Sequence, residues 1–384
     1  AQNANKLYGQ ANPGFNAMYN GFVNGEGLST SGIAGRPALT TLANENSGVG
    51  IYPITASLGT LSSTNYDFTF EGASLTIGKA SMKIKVASAT RMYGEANPRF
   101  TVEYSGFVNN ETLTSGVFVG TPVISTAAVL NSPVGIYPIT ASVGTLDAVN
   151  YDFTFEQGLL TVTKAPLTLT AENKARKYGE SNPAFTFQAS GFMNSENWDN
   201  SGISGQPMLS TEANASSPAG KYAILLSNGS LNGGNYELSF VNGQLEIGKA
   251  MITVKAEDKS RIYGSANPQL TTTYTGFVNG ENLGSSGITG APALTTLATA
   301  SSRAGIYSIA AGEGTLSAGN YEFQYAEGKL TIGKATLTIT AENKSRKYGE
   351  ANPSLTYTLN GFVLGEGVSN SDISGLPVLS TLIS

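Results

Sequence analysis

The stretch ATLTITAENKSRKYGEANP, residues 335–353, sets the fold class. In its first seven residues Leu337 and Ile339 alternate with Thr336, Thr338 and Thr340, the period-2 pattern of a half-buried strand rich in β-branched side chains. Turn residues follow. Gly349 admits positive φ, Pro353 fixes φ near about −65°, and an asparagine ahead of proline is biased to extended backbone while its side chain bonds nearby main chain. The segment therefore reads as a strand, a connection and a structural turn.

The same punctuation recurs along the chain. Tyr-Gly stands at Tyr8, Tyr93, Tyr178, Tyr263 and Tyr348, each 85 residues after the last, so the 384 residues are four periods and a remainder of 44. Asn-Pro begins at Asn12, Asn97, Asn182, Asn267 and Asn352, and Gly-Phe at Gly21, Gly106, Gly191, Gly276 and Gly361. Residues 1–85 laid over 256–340 without a gap share 45 identities, so each loop has kept its length. Periods of about 20–50 residues mark solenoid units that cannot fold alone, whereas about 85 residues can bury a small core. The spacing predicts a string of domains that fold largely by themselves, over residues 1–80, 81–165, 166–250, 251–335 and 336–384.

Within the second copy, strands are predicted over residues 81–87, 99–104, 121–125, 135–142, 151–156 and 159–162, about six or seven per copy, with Gly, Pro, Asn and Asp between them. The fold class is all-β: a tandem array of small Ig-like antiparallel β-sandwich domains. A second reading keeps small β-rich domains of β-grasp type with one short helical turn near Leu28, where a turn-rich loop is preferred. At most three residues, Gly333-Lys334-Ala335, separate the last strand of one copy from the first of the next. Flexible linkers need Gly/Ser runs, so an extended, semi-rigid rod of roughly 140 Å is expected from the size scaling of such domains. The 85-residue offset aligns Ala1 with Val86 and Ser384 with Asn44, so the first copy lacks its opening strand and the last its later strands. That reads as a window onto a longer array, with complementation of the broken ends between chains as a lesser alternative.

Composition removes most chemistry. With no Cys and no His there is no thiolate nucleophile, no imidazole base, no zinc cluster and no disulfide framework. The 22 basic against 27 acidic residues give no footprint for nucleic acid, and no apolar run of about 18 residues could span a bilayer. The first twenty residues carry no secretory leader pattern. A surface built on Ser, Thr, Asn and Gly with only 13% charged residues suits an extracellular setting.

Several recurring residues invite a chemical reading and a plainer one. Glu26, Glu111, Glu196, Glu281 and Glu366 share one position, and Lys79, Lys164, Lys249 and Lys334 another. Together with Asn65, Asn150, Asn235 and Asn320 they could supply a Lys–Asn cross-link; solvated linker charges and turn asparagines are the plainer reading. Glu172, Glu257, Asp258 and Glu342 could offer calcium a joint site, though Ca²⁺ needs about six to eight oxygens and these acids are isolated. Trp198, aligned with Leu28, Leu113, Leu283 and Val368, is expected in the core, as are Tyr52, Tyr137, Tyr222 and Tyr307. No catalytic, cofactor-binding or metal-binding residue is assigned.

The recurring set Arg346-Lys347-Tyr348-Gly349-Glu350-Ala351-Asn352-Pro353, Gly361-Phe362-Val363, Val134-Gly135-Ile136-Tyr137-Pro138-Ile139-Thr140, Asn150-Tyr151 and Leu159-Leu160-Thr161-Val162-Thr163-Lys164-Ala165 resembles the bacterial MBG domain of the Tyr-Gly type. The resemblance covers essentially the whole chain. The third copy departs from it, with Gly220-Lys221-Tyr222-Ala223-Ile224 lacking the Pro and Glu237-Leu238 replacing Asp-Phe after Tyr236. It implies a small β-rich module repeated in large secreted or surface-bound, often adhesin-like, bacterial proteins, with no catalytic residues to carry over. The expected function is a non-catalytic stalk that extends a binding region from the cell. A multivalent array binding glycan or protein, or a fibre of laterally packed copies, stands as the alternative. Burial of Phe22 and Phe277 would favour the stalk, and a stripe of exposed aromatics the array.

Overall fold

A computed structural model describes residues 1–382; the last two residues of the fifth copy lie outside the described residues. The chain is all-β, with one 3₁₀ turn at Leu113–Ser115 and no α-helix among the described residues. None of its helical segments is long and apolar enough to cross a membrane, which says nothing of a β-barrel. The chain divides into two compact units. One comprises Ala1–Thr168, Ala189–Gln206 and Gly229–Ser239; the other comprises Leu169–Gln188, Pro207–Asn228 and the chain from Phe240 on.

In the first unit the second copy is a complete domain of two sheets. Its opening strand, Ala80–Val86, alternates strictly, with Ala80, Met82, Ile84 and Val86 buried and Ser81, Lys83 and Lys85 exposed. Two-sided pairing centres that strand in a three-stranded sheet, parallel to Tyr151–Glu156 from Ala80↔Tyr151 onward and antiparallel to Val102–Ser105 from Val86↔Val102. The other sheet has four strands in the order Ala89–Met92, Gly158–Thr163, Gly135–Ser142, Val123–Thr126. Here Gly158–Thr163 runs parallel to Ala89–Met92 and antiparallel to Gly135–Ser142. Strand number and layering match the sandwich expected from the sequence, while both sheets are mixed rather than purely antiparallel. The strand missed in the sequence is Ala89–Met92, whose four residues include an arginine and show no apolar alternation.

The second unit repeats this plan in the fourth copy. Ala250–Ala256 lies between Tyr321–Ala326 and Thr272–Thr275, and Lys259–Ile262, Gly328–Gly333, Gly305–Gly312 and Ala293–Thr295 form the four-stranded sheet. The inward residues of the two layers meet: Ala256 clusters with Ile309, Leu330 and Ile332. In the fifth copy the strand expected over residues 335–341 forms only at Thr338–Ala341, paired with Tyr357–Asn360.

A buried cation closes one end of each complete copy. Arg91, 4% exposed, donates from Nε to Asn97 Oδ1 (2.7 Å), from Nη1 to the Met92 carbonyl (3.0 Å) and from Nη2 to the Val129 carbonyl (2.6 Å). Asn97 Nδ2 in turn donates to the Ala128 carbonyl at 2.7 Å. Arg176 with Asn182 and Arg261 with Asn267 repeat the arrangement. The turn read from the sequence falls on Tyr93-Gly94, and the Asn-Pro element that follows is the strap that holds the guanidinium. In the first copy Lys6 fills this position, reaching the Gln10 and Asn44 carbonyls at 2.8 and 2.7 Å, and burial pushes its pKa down. Arg91→Ala removes the donor of three part-buried acceptors and is expected to cost about 1–3 kcal/mol in urea unfolding. Arg91→Lys should cost less than half of that, because an ammonium already serves at Lys6; equal losses would contradict the hydrogen-bonding account.

Candidate functional site: the joints between copies

The recurring motifs converge where one copy meets the next. A single residue, Lys79, separates the closing strand Ala73–Gly78 of the first copy from the opening strand Ala80–Val86 of the second. Lys249 does the same between Gly243–Gly248 and Ala250–Ala256. Ala80 and Met82, on the early half of the opening strand, share one buried cluster with Tyr8, Ile54, Leu75 and Ile77 of the preceding copy and with Tyr151 of their own. The expectation of copies folding largely by themselves is corrected here. The core of the first copy runs through the joint, because the opening strand divides its inward side chains between two neighbours.

The joint is assembled from Tyr-Gly, Gly-Phe, the recurring glutamate and Asn-Tyr. Tyr8 follows the strand Ala4–Leu7, and its N–H donates to the Gly78 carbonyl at 2.8 Å. Gly9 has φ +80° and lies against the next copy, where an added Cβ would sit 2.5 Å from Val108 Cβ. Only glycine both adopts this φ and admits the valine. Tyr8 Oη then donates to Glu111 Oε1 at 2.7 Å, and Tyr151 Oη donates to Oε2 of the same carboxylate. Tyr151 Oη also accepts from the Val108 N–H at 3.0 Å. The two rings meet edge to face, centroids 5.7 Å apart at 83°, and Phe107 packs edge-on against Tyr151 at 6.4 Å. Asn150 completes the contact: its Oδ1 accepts from the Val49 N–H of the first copy at 3.0 Å, and its carbonyl accepts from the Ala80 N–H at 2.9 Å.

The arrangement recurs with fixed offsets. Glu196 accepts from Tyr93 and Tyr236, both at 2.5 Å, and Asn235 accepts from the Val134 N–H at 3.0 Å. Glu281 accepts from Tyr178 at 2.5 Å and from Tyr321 at 2.6 Å, and Asn320 from the Ala219 N–H at 3.0 Å. Tyr263 donates to Glu366 at 2.6 Å, and in the first copy Tyr66 donates to Glu26.

Glu111, Glu196 and Glu281 each gather two phenolic protons, so the arrangement is a clasp between copies. Burial first, and then the bond to glutamate, pushes Tyr151, Tyr236 and Tyr321 up to about 12. Below pH 10 the phenols are protonated in folded and unfolded chains alike, and the clasp is at full strength. Between pH 10 and 12 the unfolded chain releases these protons while the folded chain holds them, so stability is lost as pH rises through that window. Two units at about 1.4 kcal/mol each give at most about 2–3 kcal/mol per tyrosine. The urea midpoint should fall steeply from pH 10 to 12, with tyrosinate absorbance rising together with loss of the β-sheet circular dichroism. Gradual ionisation with the folded signal intact would contradict burial of these hydroxyls.

The other expected groups are placed as follows. Lys79 Nζ donates to the Ala148 carbonyl at 3.0 Å and Lys249 Nζ to the Ala318 carbonyl at 2.8 Å, while Lys164 Nζ lies 3.9 Å from Glu237. Lys79, Lys164 and Lys249 thus sit on carbonyls and a carboxylate, and the Oδ1 atoms of Asn150, Asn235 and Asn320 on backbone N–H groups. Glu172 is engaged inside its own copy by Thr186 Oγ1 (2.5 Å), Lys174 Nζ (2.9 Å) and Gln188 Nε2 (2.9 Å), which hold it down at about 2. Glu257 and Glu342 are likewise lowered, by Thr271 with Lys259 and by Thr356 with Lys344. Asp258 Oδ1 accepts from the Lys329 N–H at 2.8 Å. Among the described residues no three acids come together as a metal site.

The core placement expected for the Trp198 position is corrected. Trp198 is half-buried, and its counterparts Leu28, Leu113, Leu283 and Val368 are exposed, because the loop after each glutamate turns outside the sandwich. Tyr52, Tyr137, Tyr222 and Tyr307 are half-buried, each hydroxyl donating to the carbonyl four residues earlier. Sequence reading missed the clasp itself, although its signal was present: Tyr8, Glu111 and Tyr151 all belong to motifs with invariant spacing.

A family model described as the MBG domain (YGX type) matches residues 1–76, 82–161, 167–246, 252–331 and 337–381. No curated protein matches the chain. Among solved structures, the I9–I11 tandem of titin is 14% identical, with 66% of this chain and 100% of that one covered and a TM-score of 0.20. Extracellular cadherin domains 3–6 of protocadherin gamma B2 give 8%, 87%, 98% and 0.23. The three N-terminal domains of the bacteriophage RB49 outer capsid protein Hoc give 9%, 78%, 99% and 0.21.

Proposed function

The chain belongs to the MBG domain family of the YGX type, and from that premise we propose that it is a non-catalytic spacer, a stalk segment of a large bacterial surface or secreted adhesin-like protein that holds a binding region away from the cell. The observation that carries this reading is the fate of the recurring polar residues. Tyrosine, glutamate and asparagine, the side chains a repeated binding site would use, are spent on one another across the joints. Phe22, Phe107, Phe192 and Phe277 lie half-buried and edge-on against Tyr66, Tyr151, Tyr236 and Tyr321, which favours a spacer over an aromatic binding array. The exposed Leu42, Leu297 and Leu382 have Ala127 and Glu212 as counterparts, so that position carries a large apolar side chain in three of the five copies and none of the five is aromatic.

Its mechanism is mechanical. Tension enters each copy through the closing and opening strands that meet at one lysine, and the clasp beside that junction resists rotation of one copy on the next. The test is to pull the chain by its ends. Discrete rupture peaks are expected, each releasing one 85-residue copy, roughly 290 Å of extended chain less its folded length. Extension without peaks would overturn the spacer reading, as would saturable binding of a defined glycan or protein that Phe107→Ala and Phe277→Ala abolish while the fold persists.

A further inference from the structure

Three joints bring two phenol rings from neighbouring copies to one base. Tyr8 and Tyr151 have ring centroids 5.7 Å apart at 83°, Tyr93 and Tyr236 5.7 Å at 81°, and Tyr178 and Tyr321 5.6 Å at 87°. In each pair both hydroxyls converge on a single carboxylate, that of Glu111, Glu196 or Glu281. The ring edges beside the two oxygens, which carry the ortho carbons, are thereby drawn together. The carboxylates themselves are half-buried and in reach of water.

A phenol gives up an electron readily only when its proton leaves at the same time, and a charge-assisted hydrogen bond to a carboxylate supplies the acceptor for that proton. The chain holds no Cys and one Trp against 18 Tyr, so an electron hole settles on tyrosine. Electrons cross several ångströms of protein without contact between donor and oxidant, so burial of these rings does not shield them from a one-electron oxidant.

We propose that these three tyrosine pairs are sites of oxidative cross-linking, at which a one-electron oxidant of the peroxidase–peroxide class joins neighbouring copies through dityrosine. Each phenol of a pair loses one electron to the oxidant and its hydroxyl proton to the shared glutamate, which passes it to water. The two phenoxyl radicals couple through their ortho carbons, and the ring protons at the new C–C bond shift to the oxygens, restoring both phenols. Two electrons and two protons have then left the pair, which reduces one hydrogen peroxide to two waters. With all three bonds made, the shortest covalent path from Tyr8 to Tyr321 runs through residues 151–178 alone, so little chain between them is left to extend under load. This rests on the joint geometry and stands whether or not the array serves as a surface stalk.

Oxidation of the full chain, kept dilute, by a photogenerated ruthenium(III) complex with persulfate tests it. Peptide mass spectrometry should find Tyr8 joined to Tyr151, Tyr93 to Tyr236 and Tyr178 to Tyr321 within single chains, each product two hydrogens lighter than its two peptides. Each should be about tenfold more abundant than any other tyrosine pair, because its rings are held together before oxidation. The same treatment in urea should erase that preference. Tyr93→Phe should remove the middle product and leave the other two. Glu196→Gln keeps the rings together and takes away the proton acceptor, so the Tyr93–Tyr236 product should fall about fivefold or more while Tyr8–Tyr151 in the same sample does not change. Products confined to other tyrosines or formed between chains, an equal yield in urea, or a Glu196→Gln yield equal to the parent's would each overturn the proposal.

Discussion

Glu196→Ala is expected to lower the stability of the copies on both sides of its joint by about 3–5 kcal/mol. The carboxylate accepts from Tyr93 and Tyr236 at 2.5 Å each, and those rings are 3% and 0% exposed. A hydrogen bond to a charged group contributes about 1.5–3 kcal/mol, and a buried hydroxyl left without an acceptor bears its full desolvation penalty. Tyr236 Oη keeps the Met193 N–H at 3.0 Å as donor to it, but has no other acceptor in the set for its own proton. Glu196→Gln restores one carbonyl acceptor and turns the other position into a donor, so about half of the loss should return. Tyr93→Phe removes one bond without stranding a buried partner and should cost about 1–2 kcal/mol. Combining Tyr93→Phe with Glu196→Ala should cost less than the sum of the two, since both act on one clasp. Urea unfolding with an unchanged slope is the measurement. Strict additivity, or a loss below about 1 kcal/mol for Glu196→Ala, would show that the two phenols are satisfied by water.

The strands were legible where alternation was strong. Residues 135–142 and 151–156 were bounded as the structure places them, and Ala80–Val86 within one residue. What the sequence hid was what lies opposite each residue. The recurrence of Glu111 and Tyr151 is visible in the sequence, yet no local pattern says that the hydroxyl reaching Glu111 comes from Tyr8, 103 residues earlier. The Trp198 position misled for a related reason. Aliphatic residues in four counterparts suggest a core, but in a Gly- and Ser-rich loop they mark only the absence of charge, since much of any protein surface is apolar. Burial of a strand residue follows from its period; burial of a loop residue follows from contacts the sequence does not order.

Residues 66–70 and 151–155 make the same point with identical sequence. Both read YDFTF, yet Tyr151–Glu156 is a strand while residues 66–70 form none. The difference is the neighbour: Tyr151–Glu156 pairs with Ala80–Val86, and the first copy's counterpart of that strand would precede Ala1. Propensity is equal in the two cases, so the ladder and the burial decide. Fusing ASMKIK, the sequence of residues 80–85, directly ahead of Ala1 should therefore convert residues 66–71 and 17–20 into strands flanking the added one. The counterparts of Met82 and Ile84, both 0% exposed in the second copy, would each contribute about 1.5–3 kcal/mol of burial, with ladder hydrogen bonds of about 0.5–1.5 kcal/mol offsetting the ordering of the new strand. Amide exchange over residues 66–71 should slow by about a hundredfold, and the first copy should melt several degrees higher. The same prefix with aspartate at its third and fifth positions keeps the backbone and its hydrogen bonds but cannot bury its inward face, and should give neither change. Protection by both prefixes would mean that pairing alone orders the sheet; protection by neither would mean that YDFTF needs the preceding copy as well as the strand.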